Sequence, residues 1–294
     1  TVNFSGNGTV VAGGAITGAV DNSTGSDGAG TLTLGATFGV TGTIGATNSL
    51  LAVGVNTGSG TSAIGGAVKA TTTTLTGTGT ATFADDITGN VAFGAAATGS
   101  VAADKKIVGA ITTTSDGQGT LTFGTATTDT TLVSGNIATS SAALLALNLN
   151  SGTTAGTTIT LGGETNARTV TIAGTQTTAF TDDITAATKV DITADGTVNI
   201  AADKKIVGAL DAGSASIGTV NFAATSTNTT LVSGTTGAGN AVKVINVAPA
   251  TGVTATFTGA VAATTINNTG LGTLAMGSTT AGNVNLSGGG AFTA

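Results

Sequence analysis

Apolar residues along this chain come in short alternating bursts: Leu32 and Leu34, Val53 and Val55, Leu121 and Phe123, Ile159 and Leu161, Val170 and Ile172, Val220 and Phe222, Val284 and Leu286. Period-two spacing over a few residues, with Thr and Val prominent, predicts strands that show one face to a core and the other to solvent. Between the bursts lie clusters of Gly, Ser, Asn and Asp, such as the run from Asn22 to Gly28, and these supply turn chemistry. One window, Ser140 to Leu147, carries a helix-like composition. Its Leu144-Leu145-Ala146-Leu147 aligns with Leu50-Leu51-Ala52-Val53 and with Val242-Lys243-Val244-Ile245, so a strand is expected there too. The pattern therefore predicts an all-β chain with very short strands.

The bursts also repeat. Ala102-Ala103-Asp104-Lys105-Lys106-Ile107-Val108-Gly109-Ala110 recurs letter for letter from Ala201 to Ala209, 99 residues on, and the same offset links Phe123 with Phe222. Phe83-Ala84-Asp85-Asp86-Ile87-Thr88 matches Phe180-Thr181-Asp182-Asp183-Ile184-Thr185 at an offset of 97. Repeats at residues 1–52 (partial), 53–146, 147–245 and 246–294 (partial) follow, in one continuous array over 1–294. Because Val2-Asn3-Phe4-Ser5-Gly6 and Val284-Asn285-Leu286-Ser287-Gly288 are in similar phase, the chain is expected to be a window of a longer array.

Two architectures fit a unit of this length: tandem sandwich domains of about 100 residues, or a parallel β-solenoid with several coils of roughly 20 residues in each repeat. The solenoid is favoured. The chain has no Trp and no Tyr for a sandwich core, its strands are brief, and two-residue insertions fall between aligned bursts, as corners of a coil allow. The expected fold is thus an all-β, parallel β-solenoid (β-helix) with short strands and Gly/Asn/Asp corners. Stacking about 15 coils at about 4.8 Å would give a rod on the order of 70 Å long, with outward Thr and Asn forming ladders from coil to coil.

Composition narrows the function. Only 7% of residues are charged, the net charge is −6 and there is neither His nor Cys. No apolar run reaches the roughly 18 residues that a membrane helix needs. An acidic chain without a basic stripe makes nucleic acid an unexpected partner. Without His or Cys, triad, thiol and imidazole–metal chemistry have no components. No catalytic, cofactor-binding or metal residues are assigned, no cofactor is expected, and the chain is expected not to be an enzyme. The acid pairs Asp85-Asp86 and Asp182-Asp183 are the best candidates for a metal or acid–base site, with calcium the metal that suits them, but turn caps account for them more simply. Asp104-Lys105-Lys106 and Asp203-Lys204-Lys205 read as solvated corners holding Asp–Lys ion pairs, on the same side of the rod about five coils apart. Asp27-Gly28, Asp116-Gly117 and Asp195-Gly196 read as tight turns.

The stretches from Gly13-Gly14-Ala15-Ile16-Thr17-Gly18-Ala19-Val20, from Thr41-Gly42-Thr43-Ile44-Gly45-Ala46-Thr47-Asn48, and from Gly65-Gly66-Ala67-Val68-Lys69-Ala70 resemble passenger domains of rickettsial surface-antigen autotransporters of the outer-membrane protein A and B type. That resemblance implies an extracellular passenger at the bacterial cell surface, carried there by a membrane barrel outside this segment. It would serve as an adhesin or protective coat whose partner is a receptor on a host or neighbouring cell. The alternative is a self-assembling extracellular filament or surface-layer subunit, whose partners are copies of itself. No site residues carry over, since the matching phrases are scaffold.

Overall fold

The computed structural model describes all 294 residues. It consists of strands and turns without a helix, and the strands stack in parallel as a β-solenoid of about 15 turns. Both the all-β class and the parallel stacking expected from the alternation are met. The helix-like window Ser140 to Leu147 opens with a turn at Ser140 and Ser141 and runs into the strand Leu144–Asn150, the counterpart of the strands Leu50–Asn56 and Val242–Pro249. The chain divides into two compact units, Thr1–Gly124 with Thr130–Leu147, and Thr125–Asp129 with Asn148–Ala294.

In the first unit Thr61–Ile64, Thr80–Phe83, Thr98–Val101 and Gln118–Phe123 pair in that order. Their register places Ile64, Phe83, Val101 and Phe123 in one inward column, and all four are buried. A second face is built from Thr31–Leu34, Leu50–Asn56, the C-terminal part of Val68–Thr76, Asn90 to Phe93, and Ile111–Thr113. A narrow third face joins them: Val68 stacks on Ile87 and Ile87 on Ile107. Each coil thus has three sides. Coil length is not constant: Ala81 stacks on Gly99 across a short coil, and Ile107 on Val133 across a longer one.

The second unit repeats this plan. Thr158–Leu161, Thr177–Phe180, Thr197–Ile200, Ile217–Thr225, Val242–Pro249, Val261–Asn268 and Thr280–Leu286 pair in sequence. Leu161, Phe180, Ile200, Phe222 and Val247 form its inward column, and Phe222 meets Phe257 edge to face at 5.8 Å and 88°. Such a core must be narrow, because every inward position has a neighbour above and below at strand spacing. Val, Ile, Leu and Phe fill it, with space made by small residues: a Cβ on Gly99 would lie 3.2 to 3.4 Å from Leu75, Phe93 and Leu121.

The corner between the narrow and second faces depends on glycine. There the strand register shifts, between Lys69 and Thr72 in one coil pair and between Ala186 and Val190 in another. Gly89 sits at the first with φ +112° and Gly208 at the second with φ +127°. A Cβ would fall 1.6 Å from the Ala70 carbonyl oxygen at Gly89, and 2.0 Å from that of Ala186 at Gly208. Only a residue without a side chain fits so close to the backbone of the preceding coil.

The two copies of the repeated segment fall in different compact units, Asp104 in the first and Asp203 in the second. Asp27-Gly28 and Asp116-Gly117 are turns with the glycine at positive φ, whereas Gly196 has no positive φ and Asp195 acts otherwise, as described below.

Substituting Gly89→Ala or Gly208→Ala should each lower stability by at least about 1–3 kcal/mol, because a strained φ and a backbone overlap combine. Gly13→Ala, with nothing within 4 Å of the added Cβ, should leave the urea midpoint nearly unchanged.

Candidate functional site

The two acid pairs and the two Asp-Lys-Lys segments, read separately in the sequence, meet in the structure. Asp85 and Asp86 occupy the corner between Thr80–Phe83 and Ile87–Phe93, and Lys105 and Lys106 occupy the same corner one coil on. Lys105 Nζ lies 2.8 Å from Asp85 Oδ1, and the Lys106 amide donates to Asp86 Oδ1 at 3.1 Å. The second unit copies this. Lys204 Nζ lies 2.6 Å from Asp182 Oδ1, Lys205 N donates to Asp183 Oδ1 at 3.1 Å, and Lys205 Nζ stands 3.8 Å from Asp183 Oδ2. In both, the second aspartate's own amide donates to the first carboxylate, at 2.9 and 2.8 Å. The corners are turns with ion pairs, as expected, but the pairs run between coils.

Asp104 and Asp203 hold these corners in the left-handed region, with φ of 57° and 58°, a conformation that Asp tolerates better than most residues. The Asp203 carboxylate reaches the next coil, where it accepts from Ser226 N at 2.7 Å, Ser226 Oγ at 2.6 Å and Thr227 N at 3.1 Å. Acids elsewhere do the same. Asp27 accepts from Ser49 N at 2.6 Å, Asp129 from Thr158 N at 2.6 Å, Asp195 from Gly218 N at 3.1 Å, and Asp211 from Asn240 N at 3.0 Å. Asp195 also pairs with Lys243 Nζ at 2.6 Å, 48 residues away. Amides in turns and in the first residues of strands, such as Thr158 and Gly218, thus find carboxylate acceptors on the neighbouring coil.

These partners set the acid–base behaviour. The Lys105 and Lys204 ammonium groups, and then the neighbouring amides of Asp86 and Asp183, hold the Asp85 and Asp182 carboxyls below the usual carboxylate range. Hydrogen bonds from Ser226 do so for Asp203, and the Lys243 contact for Asp195. No group of three or more acidic side chains lies close enough together to hold a metal ion.

A second feature runs along the outer face of the second unit. Asn221 Nδ2 donates to Asn199 Oδ1 at 2.8 Å, Asn246 to Asn221 at 2.7 Å, Asn267 to Asn246 at 2.7 Å and Asn285 to Asn267 at 3.0 Å. A ladder of outward Asn was expected in kind, but these five members were not singled out. Their signal in the sequence is a recurring β-branched residue followed by Asn: Val198-Asn199, Val220-Asn221, Ile245-Asn246, Ile266-Asn267 and Val284-Asn285. Threonines stack likewise, with Thr158 opposite Thr177, Thr177 opposite Thr197 and Thr197 opposite Thr219.

Against known proteins, this chain is 46% identical over 125 residues to Outer membrane protein A of Rickettsia rickettsii. The resemblance to a rickettsial surface antigen therefore holds over part of the chain. The match spans 38% of this chain and 6% of that protein's length. No family model and no solved structure matches.

A carboxyl held below its unfolded value near 3.9 contributes stability that is present above that value and is lost as pH falls through the lower folded one. The parent's urea midpoint should therefore fall on going from pH 7 to pH 3. A Lys105→Met/Lys204→Met variant should be slightly less stable at pH 7 and should lose less over the same interval, because its Asp85 and Asp182 return toward the ordinary range.

Proposed function

We propose that this chain is a stretch of a non-enzymatic cell-surface passenger, lying outside the bacterial cell and acting as an adhesin or protective coat. The observation that carries this reading is the similarity to Outer membrane protein A, borne by a β-solenoid that carries outward rows of Thr and Asn. Delivery follows the autotransporter route, so contact with the membrane is made by a segment other than this one. The partner is a receptor on a host or neighbouring cell; an acidic surface does not suit nucleic acid.

A non-enzymatic role accords with the engagement of the carboxylates. Those that the sequence offers as acid–base candidates are bound to lysines and turn amides of adjacent coils, which leaves them fastening the coils together. A filament or surface-layer role is the second reading, favoured by the Asn ladder, since amide rows of this kind also join separate chains.

An antibody raised against the chain should label intact source cells, and brief external protease treatment should remove the label. Labelling only after permeabilisation would contradict the reading. Electron microscopy of the purified chain separates the two roles: discrete particles accord with a passenger, and ordered fibres with the filament.

A further inference from the structure

The asparagine ladder is directional. Every link runs from Nδ2 in one coil to Oδ1 in the coil before it, so the amide dipoles add and each bond polarises the next. Asn199 stands at the donor end. Its Oδ1 is taken by Asn221, and its Nδ2 is therefore directed toward the preceding coil, where the register partner is Ala179. A methyl group cannot accept, and Asn199 Nδ2 has no partner within the protein.

That unpaired donor borders a depression of about 300 Å³ in the outer face. Ala179, Asn199 and Asn221 form one side, and Thr181, Ala201 and Ala223 the other. No charged side chain lines it. Thr181 donates its hydroxyl to the Leu161 carbonyl at 3.0 Å, which leaves its oxygen free to accept.

We propose that this depression binds the acetamido group of an N-acetylated sugar. The site offers a polarised donor beside alanine methyls, so its ligand needs a neutral acceptor with an apolar group next to it. An acetamido group carries both: its carbonyl oxygen accepts from Asn199 Nδ2, its methyl lies on Ala179 and Ala201, and a ring hydroxyl donates to Thr181 Oγ1. A carboxylate ligand is disfavoured by the absence of a cation in the lining. The proposal rests on the adhesin reading above for the source of the sugar, and gives that reading a ligand class.

Titrating the whole chain with an N-acetylglucosamine trisaccharide, followed by the side-chain amide signals in NMR, should shift Asn199 saturably. A glucose trisaccharide of the same linkage should bind at least tenfold more weakly. Ala179→Asn adds one rung to the ladder, supplies an acceptor to Asn199 Nδ2 and fills the depression, so it should abolish binding while leaving the unfolding midpoint unchanged or raised. Ala201→Leu blocks the opposite wall without touching the ladder and should abolish binding too. Equal response to both sugars, no saturable shift, or unchanged binding by a folded variant of either kind would overturn the site. Failure of the sugar to bind, with intact cells still labelled by antibody, would overturn this inference and leave the surface reading standing.

Discussion

Backbone hydrogen bonding between successive coils is the constraint on which the rest depends. It fixes each residue at strand spacing from its counterparts in the coils before and after, so every position in the coil becomes a column. An inward column must hold side chains that tolerate copies of themselves above and below, and Leu161, Phe180, Ile200, Phe222 and Val247 do. An outward column must hold groups that hydrogen-bond to their own kind or avoid repelling it. Thr and Asn meet that demand, and a row of like charges would not. The low charge of the chain is thus a consequence of stacking before it is a clue to partners.

Much of the charge sits at the corners, where columns break, and it is arranged by opposites. Where acids do stack within a column, as Asp191 does on Asp211, Lys189 reaches both carboxylates. Asp85 faces Lys105 and Asp182 faces Lys204 across one coil step. Other acids take turn amides that have left the ladder, as Asp203 does with Ser226 and Thr227. Exposed ion pairs of this kind contribute modestly, yet a turn amide without an acceptor is costly where water is excluded. Their work is to let loops of unequal length close over a regular core. A short coil from Ala81 to Gly99 and a longer one from Ile107 to Val133 can then share one stack.

Much of this could be read from the chain. Alternation named the strands, including Leu144–Asn150 against its helix-like composition, because its register with Leu50–Asn56 outweighed propensity. Loss of register at the corners limited the rest. Asp85 and Lys105 are separated by 20 positions and Asp182 and Lys204 by 22, so their meeting shows only once the coil length is known locally. The asparagine ladder has spacings of 22, 25, 21 and 18 residues, an irregularity that hides it from a fixed-period search although each member follows a β-branched residue.

Register-matched parallel stacking is the central claim, and pairwise cysteine cross-linking tests it directly, since the chain has no cysteine of its own. Thr80 pairs with Thr98 and Thr177 with Thr197, at a separation of about 4.8 Å that a disulfide spans. Cysteines at either pair should cross-link rapidly and completely under mild oxidation. Cysteines at Thr80 and Ser100, or at Thr177 and Asn199, are displaced by two residues along the strand, beyond the roughly 7 Å limit, and should stay reduced. Equal cross-linking of matched and displaced pairs, or none in the matched ones, would contradict the stacking described here.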